Sequence, residues 1–140
     1  MPRVLITGSR EFNNELVMRE IFNRYHDRYM GCETILVHGD ARGADRLSAR
    51  VASSIVPDMT VETHPANWEL HGKRAGFMRN ELMVDLGADV AIAFRWIGAG
   101  NRGTDDCIKR IRQANIALIV VEADEIHARV TWANGDGETL

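Results

Sequence analysis

The sequence is short of the features that mark several large classes of protein. It has two cysteines, Cys32 and Cys107, which lie far apart and outside any CxxC or Cys/His spacing. Neither a disulfide framework nor a zinc knuckle is therefore expected, and reduced thiols in a cytoplasmic protein are. No apolar run approaches the roughly 18 to 20 residues of a membrane span. Met1-Pro2-Arg3-Val4 leads straight into an apolar segment without the flanks of an export signal, so no membrane partner is expected. A basic excess is also missing: 17 Lys and Arg stand against 20 Asp and Glu, a net charge of −3. Aromatics are few and are not interleaved with Lys or Arg along an exposed path, so backbone tracking and base stacking have little to work with and a nucleic-acid partner is not expected. His26, His38, His64, His71 and His127 form no i, i+4 pair and no HExxH spacing, and no metal site is expected. Gly-x-Ser-x-Gly and Walker A signatures are lacking, which disfavours serine-triad acyl transfer and P-loop hydrolysis, and the first loop, Thr7-Gly8-Ser9-Arg10, is not the GxGxxG of the usual dinucleotide turn.

What is present is an ordinary globular composition, 45% apolar and 26% charged over 140 residues, enough for one core. Five short segments are continuously apolar and rich in β-branched residues: Arg3 to Thr7, Thr34 to His38, Thr60 to Thr63, Asp89 to Phe94 and Ile116 to Val121. Continuous apolarity, as opposed to alternation, marks strands covered on both faces. Helical periodicity falls between them, over Asn14 to Tyr29, Ala44 to Ile55, Arg74 to Leu86 and Thr104 to Ala114. Gly31, Gly87 and Asn115 stand where these helices should stop. The alternation predicts a single three-layer α/β domain, Rossmann-like, with a mainly parallel five-stranded sheet over residues 1–121. Residues 122–140 read as a C-terminal extension, with Ile126 to Trp132 a candidate edge strand and Asn134-Gly-Asp-Gly a turn or tail. The apolar faces of the first and third helices, the latter carrying Met78, Leu82 and Leu86, either cover the sheet or pair with a second subunit.

In open parallel sheets ligands bind at the carboxyl ends of the strands. The glycine-rich and cationic signals fall there: Thr7-Gly8-Ser9-Arg10 after the first strand, His38-Gly39-Asp40-Ala41-Arg42-Gly43-Ala44-Asp45 after the second, His64 to Lys73 after the third, and Gly98 to Asp105 after the fourth. Glycines admit close backbone approach, and helix N-termini offer unsatisfied N–H groups with partial positive charge, so this edge should hold an anion. On this reading Gly8, Ser9, Gly39, Gly43, Gly103 and Thr104 hold phosphate. Arg10, Arg42, Lys73 and Arg79 neutralise it, with Arg102 nearby. Asp45 or Asp40 would accept a ribose hydroxyl. Plainer roles remain open for several of these residues: Thr104 as the N-cap of the last helix, Asp45 as an acid in a first helical turn, and Trp68 as a half-buried loop aromatic.

The motifs Thr7-Gly8-Ser9-Arg10, Val37 to Asp45, Pro65-Ala66-Asn67-Trp68, Gly72 to Asn80 and Arg102-Gly103-Thr104 together resemble the YspA/YpsA-related branch of the SLOG superfamily, over about residues 3 to 121. The resemblance implies a Rossmann-like domain, related to the LOG phosphoribohydrolases and the single-strand-binding DNA-processing protein A, with a pocket for a nucleotide-derived small molecule such as an ADP-ribose or NAD derivative. It also implies self-association, and a homo-oligomer is expected. No cofactor is required, with Mg²⁺ beside the phosphates left open. LOG enzymes cleave the N-glycosidic bond of a nucleoside 5′-monophosphate with an Arg on one helix and a Glu in a glycine-rich loop. Here Arg79-Asn80 match the Arg-bearing helix, and Cys107 stands in the place of the Glu. If the ligand is cleaved, Arg79, Glu81 and Asp106 are the candidate catalytic residues.

Overall fold

The computed structural model describes residues 2–132 and 137–139. Its elements run β1 (Arg3–Gly8), α1 (Glu15–Arg24), α2 (His26–Tyr29), β2 (Ile35–His38), α3 (Ala44–Ile55), β3 (Thr60–Thr63), α4 (Trp68–His71), α5 (Ala75–Asp85), β4 (Val90–Trp96), α6 (Arg102–Gln113), β5 (Leu118–Ala123), β6 (Ala128–Trp132) and β7 (Gly137–Thr139), with a 3₁₀ turn over Gly72–Arg74. The sheet order is β3-β2-β1-β4-β5-β6-β7. The first five strands in that order are parallel, in register Val4↔Leu36, Val4↔Val90 and Ile92↔Ile119. The chain winds outward in one direction from β1 to β3 and returns beside β1 to start the other way at β4, which leaves a topological switch point between β1 and β4.

Alternate residues of the central strands feed two separate cores. Val4, Ile6, Val90, Ile92 and Phe94 face α1 and α3, where Phe12 and Phe22 meet the Phe94 ring edge-on at 5.2 and 6.0 Å. Leu5, Ala91, Ala93, Leu118 and Val120 face the other way, onto Met83 and Val84 of α5 and Cys107, Ile108 and Ile111 of α6. Burial on both faces is the reason for continuous apolarity in these strands.

Three expectations need correction. The sheet has seven strands, not five, because β5 turns back into an antiparallel pair with β6. Asp124 fixes that turn: its Oδ1 accepts the N–H groups of Ile126 (2.8 Å) and His127 (2.6 Å), and its own N–H donates to the carbonyl of His127. This side-chain mimic of a backbone turn is available to a short acidic residue. The extension after residue 121 thus joins the same sheet, β7 pairing with β6, while most of the Asn134-Gly-Asp-Gly segment lies outside the described residues.

The helix expected over Asn14 to Tyr29 breaks at Tyr25 into α1 and α2. Tyr25 and Met30 are both buried, and an unbroken helix would carry them about 140° apart around its axis. The third departure is in α5. Ala75, Asn80, Met83 and Val84 form its buried side, whereas Met78, Leu82 and Leu86 are 39%, 51% and 50% exposed. Two apolar stripes run along this helix, and only one reaches the sheet. Gly87 and Asn115 do follow α5 and α6 with left-handed backbone, as helix stops.

Candidate anion-binding cleft

A cleft of about 500 Å³ opens at the switch point, between the ends of β1 and β4. Its floor is Thr7 and Gly8, one wall is the loop and first turn of α6 from Gly100 to Thr104, and the other is α5 with Gly76, Phe77, Arg79, Asn80 and Met83. Four cationic side chains line it, Arg10, Lys73, Arg79 and Arg102, against a single carboxylate, Asp45. A chain of net negative charge has thus concentrated positive charge in one concavity, where field lines are focused onto a ligand.

The first turn of α6 forms part of this wall. Its N-cap residue, Asn101, makes no side-chain bond to the helix. The Asn101 amide instead clamps β4, accepting from the Trp96 N–H (2.9 Å) and donating to the Trp96 carbonyl (2.7 Å). The leading N–H groups of a helix have no partner within it, and here no side chain caps them. Thr104, on the same turn, is 3% exposed, and its hydroxyl oxygen is the sole buried side-chain polar atom without a hydrogen-bond partner among the described residues. It is therefore not the N-cap of α6. A buried hydroxyl left unpaired costs about 1–3 kcal/mol, unless something in the cleft completes it.

Asp45, at the start of α3, is 4% exposed. Its Oδ2 accepts the N–H groups of Gly39 (3.1 Å) and Ala41 (3.2 Å), folding the β2–α3 loop over the helix. Burial pushes its carboxyl up to about 6, against the opposing pull of Arg79 and of those two N–H groups. Arg79 crosses the same ground. Its Nη1 donates to the Gly39 carbonyl (2.6 Å), and its Nε donates to Asn80 Oδ1 (2.9 Å). The Asn80 amide then donates to the Gly103 carbonyl (3.1 Å), tying α5 to α6. At the mouth, the Arg10 guanidinium lies 5.3 Å from the Trp68 ring and Arg102 lies 5.6 Å from the Phe77 ring. Both aromatics are half-exposed supports for cations.

A second concavity of about 370 Å³ adjoins the first and shares Arg10, Ala41, Trp68 and Arg79 with it. Gly39, Asp40 and Arg42 lie here together with Arg46. Two of its guanidiniums are already paired, Arg42 with Glu11 (3.0 Å) and Arg46 with Asp40 (3.2 Å). His38, beside it, accepts the Asp40 N–H at Nδ1 (2.9 Å), and burial lowers its pKa.

A family profile described as YspA, cpYpsA-related SLOG matches residues 2–71. The Gene 61 protein of Mycobacterium phage D29 is 40% identical over 123 residues, spanning 85% of this chain and 95% of that protein. The chain belongs to the YspA/cpYpsA-related SLOG family. Among solved structures, the selenomethionine crystal structure of PaaA overlays with a TM-score of 0.48 at 14% identity, covering 94% of this chain and 43% of that one. The family match spans the β1 and β2 loops, Trp68 included, but not Lys73, Arg79, Asn80 or the α6 turn.

Of the residues singled out from this SLOG sequence, Gly8, Arg10, Asp45, Lys73, Arg79, Asn80, Gly103 and Thr104 line the main cleft. Gly39, Asp40 and Arg42 line its neighbour. Ser9 and Gly43 line neither. Ser9 is fully buried, its hydroxyl accepting the Glu11 N–H and donating to the Ala99 carbonyl, so it staples the β1 loop to the β4–α6 loop. The N–H of Ala44 donates to the Ser9 carbonyl (3.1 Å), so the first turn of α3 is engaged by the β1 loop. Gly39 donates its N–H to Asp45 and carries the Arg79 guanidinium where a Cβ would sit. Glu81 and Asp106 lie outside both clefts, each paired with Arg110 (3.3 and 2.9 Å). Phe77, Met83 and Asn101 were not anticipated. Asn101 was detectable in principle as an Asn just before a helix start, whereas Phe77 and Met83 carry no signal that separates cleft-lining from core-facing positions.

Proposed function

We propose that the main cleft binds a nucleotide or nucleotide-derived ligand through its phosphate, as a binding module. The observation that carries this reading is the buried Thr104 hydroxyl, left unpaired on the uncapped first turn of α6 inside a cleft with four cations and one carboxylate. A phosphate oxygen there accepts from the α6 N–H groups and from the Thr104 hydroxyl, with Arg102, Lys73 and the unused Nη2 of Arg79 as counter-charges. Trp68 and Phe77 give an apolar surface for a base or ribose. The adjoining concavity offers volume for a second moiety, as an ADP-ribose or NAD derivative has, and Asp45 in the one or Asp40 in the other would accept a sugar hydroxyl.

Binding without cleavage is favoured by the chemistry of α6. Cys107 stands where a LOG enzyme has its Glu, and burial pushes that thiol up to about 11. A neutral thiol supplies no negative charge to an oxocarbenium-like sugar.

Thr104→Val separates ligand chemistry from folding. Valine has nearly the shape of threonine and removes an unpaired buried hydroxyl, so the melting temperature should stay level or rise. Affinity for a nucleoside 5′-monophosphate, measured by titration calorimetry, should fall about tenfold, close to 1.4 kcal/mol. Unchanged affinity would remove the phosphate from this turn. Chromatography of the same mixtures for free base tests the binding-module reading, and its appearance would replace that reading with N-glycosidic hydrolysis.

A further inference from the structure

We propose that the main cleft selects ligands that carry a base, and that Trp68 receives the base in exchange for the Arg10 guanidinium. The inference rests on the phosphate reading above and adds a second point of recognition to it. Trp68 opens α4, a helix capped by Asn67, whose Oδ1 accepts the Leu70 N–H (3.1 Å). The benzo edge of the indole, at Cη2, lies 3.4 Å from where a Cβ on Gly76 would stand, so the ring is propped against α5 at a position without a side chain. One edge is thus seated, yet the residue is 49% exposed. A fixed, exposed aromatic ring at the mouth of a cationic cleft is a stacking platform. Phe77, under Arg102, lines the main cleft alone and belongs to the phosphate end.

What covers the indole identifies the exchange. The Arg10 guanidinium lies 5.3 Å from the ring centroid, and this side chain makes no hydrogen bond or ion pair among the described residues. Arg42 and Arg46, by contrast, are held by Glu11 and Asp40. Arg10 and Trp68 line both concavities, so the gap between them opens onto the α6 turn on one side and the β2–α3 loop on the other. A base sandwiched in that gap needs two contacts of about 3.5 Å each, more than the spacing holds, so the base has to displace the guanidinium. A cation over an exposed ring is worth about two- to fivefold in an equilibrium constant, whereas a base on an aromatic side chain is worth roughly 5- to 150-fold. The base wins. The released guanidinium stays in a cleft whose single carboxylate, Asp45, is buried and already hydrogen-bonded, and a phosphate takes it instead. The ligand class is therefore a nucleotide, of any base because every base has a π-face, and not a sugar phosphate.

Calorimetric titration with adenosine 5′-monophosphate, ribose 5-phosphate and adenosine tests the exchange. The native chain should bind the nucleotide at least about tenfold more tightly than the sugar phosphate. Trp68→Leu should weaken nucleotide binding about tenfold and strengthen ribose 5-phosphate binding about two- to fivefold, because the phosphate then takes Arg10 without parting it from a ring. Trp68→Phe, which keeps an aromatic face, should restore most of the preference. Arg10→Ala should act in opposite senses on two ligands, raising affinity for adenosine about two- to fivefold and lowering affinity for the nucleotide at least about threefold. A Trp68→Leu chain that loses affinity for both phosphorylated ligands alike overturns the exchange, and so does weaker adenosine binding by Arg10→Ala. Equal native affinities for the nucleotide and ribose 5-phosphate overturn it too while leaving the phosphate reading standing, and a native chain that binds neither removes both.

Discussion

Gly43→Ala is expected to lower stability by about 4 kcal/mol, the sum of two costs of roughly 1–3 kcal/mol each. The first is conformational. Gly43 sits at φ 79°, ψ −128°, a region that side chains with a Cβ rarely enter. The second is steric: a Cβ there overlaps the carbonyl oxygens of Ser9 and Arg10. Those are backbone atoms of the β1 loop, and they cannot swing aside as a long side chain does. Nor can the loop withdraw cheaply, because the Ser9 carbonyl accepts both the Ala44 and the Phe12 N–H. For a chain of this length the loss corresponds to a fall of about 15 °C in melting temperature, readable by calorimetry. Gly103→Ala is the matched control. No atom lies within 4 Å of its would-be Cβ, and it occupies the second position of α6, so the protein should gain up to about 0.5 kcal/mol. Equal effects at the two positions would mean that Gly43 is not the tight junction the geometry describes.

Asp45 is expected to separate two roles when replaced in two ways. Asp45→Ala leaves the N–H groups of Gly39 and Ala41 without their acceptor. It should cost about 3 kcal/mol. Asp45→Asn keeps one oxygen in place, and one is enough, because a single atom, Oδ2, accepts both bonds. The amide carries no charge to desolvate, so at neutral pH this variant should stay within about 1 kcal/mol of the native chain.

The two differ again in pH dependence. The folded carboxyl titrates at about 6, above its ordinary 3.8, mainly through burial. The folded state therefore holds this proton more tightly than the unfolded chain. Stability contributed by the group is full below about pH 4, declines as pH rises to about 6, and is flat above. The change amounts to about 3 kcal/mol. Denaturant unfolding at pH 4 and pH 7 should show the native chain losing about 3 kcal/mol relative to Asp45→Asn, a comparison that cancels the opposite contributions of His38 and Glu62. A native chain that gains stability relative to Asp45→Asn across this window would reverse the assignment of burial as the dominant cause.

A buried carboxylate with this cost fits a residue kept for a ligand that meets it. Phosphate close to Asp45 adds negative charge and favours its protonated form, so phosphate affinity should weaken as pH rises through 6. Asp45→Asn, which keeps the four cations and removes the carboxylate, gives the reference slope. The difference in slope between the native chain and that variant isolates Asp45 from the second ionisation of the phosphate itself, at about pH 6.

Much of this architecture can be read from the chain. Apolar runs such as Val-Leu-Ile in β1 and Val-Ala-Ile-Ala-Phe in β4 state that both faces are covered, and from parallel strands with crossover helices the cleft at the carboxyl edge follows. The cleft's cations were legible too: Arg10, Lys73 and Arg102 fall in loops or first turns at that edge, and Arg79 belongs to the Gly72 to Asn80 motif that leads from it.

Periodicity fixes which side chains share a face, but not which of two apolar faces meets the sheet. In α5 both stripes repeat at helical spacing, and packing chose Met83 and Val84 over Met78, Leu82 and Leu86. Glycine in a loop is equally ambiguous. It reads as space for a phosphate, yet at Gly39 the space is filled by the Arg79 guanidinium and at Gly43 by the backbone of another loop. Composition and local pattern act over one turn of chain and so determined the strands, most of the helices and the edge at which the cleft opens. Contacts between segments far apart in sequence decided which hydroxyl was left unpaired, which carboxylate was buried and which helix face was left uncovered, because each depends on what arrives from elsewhere to fill or satisfy it.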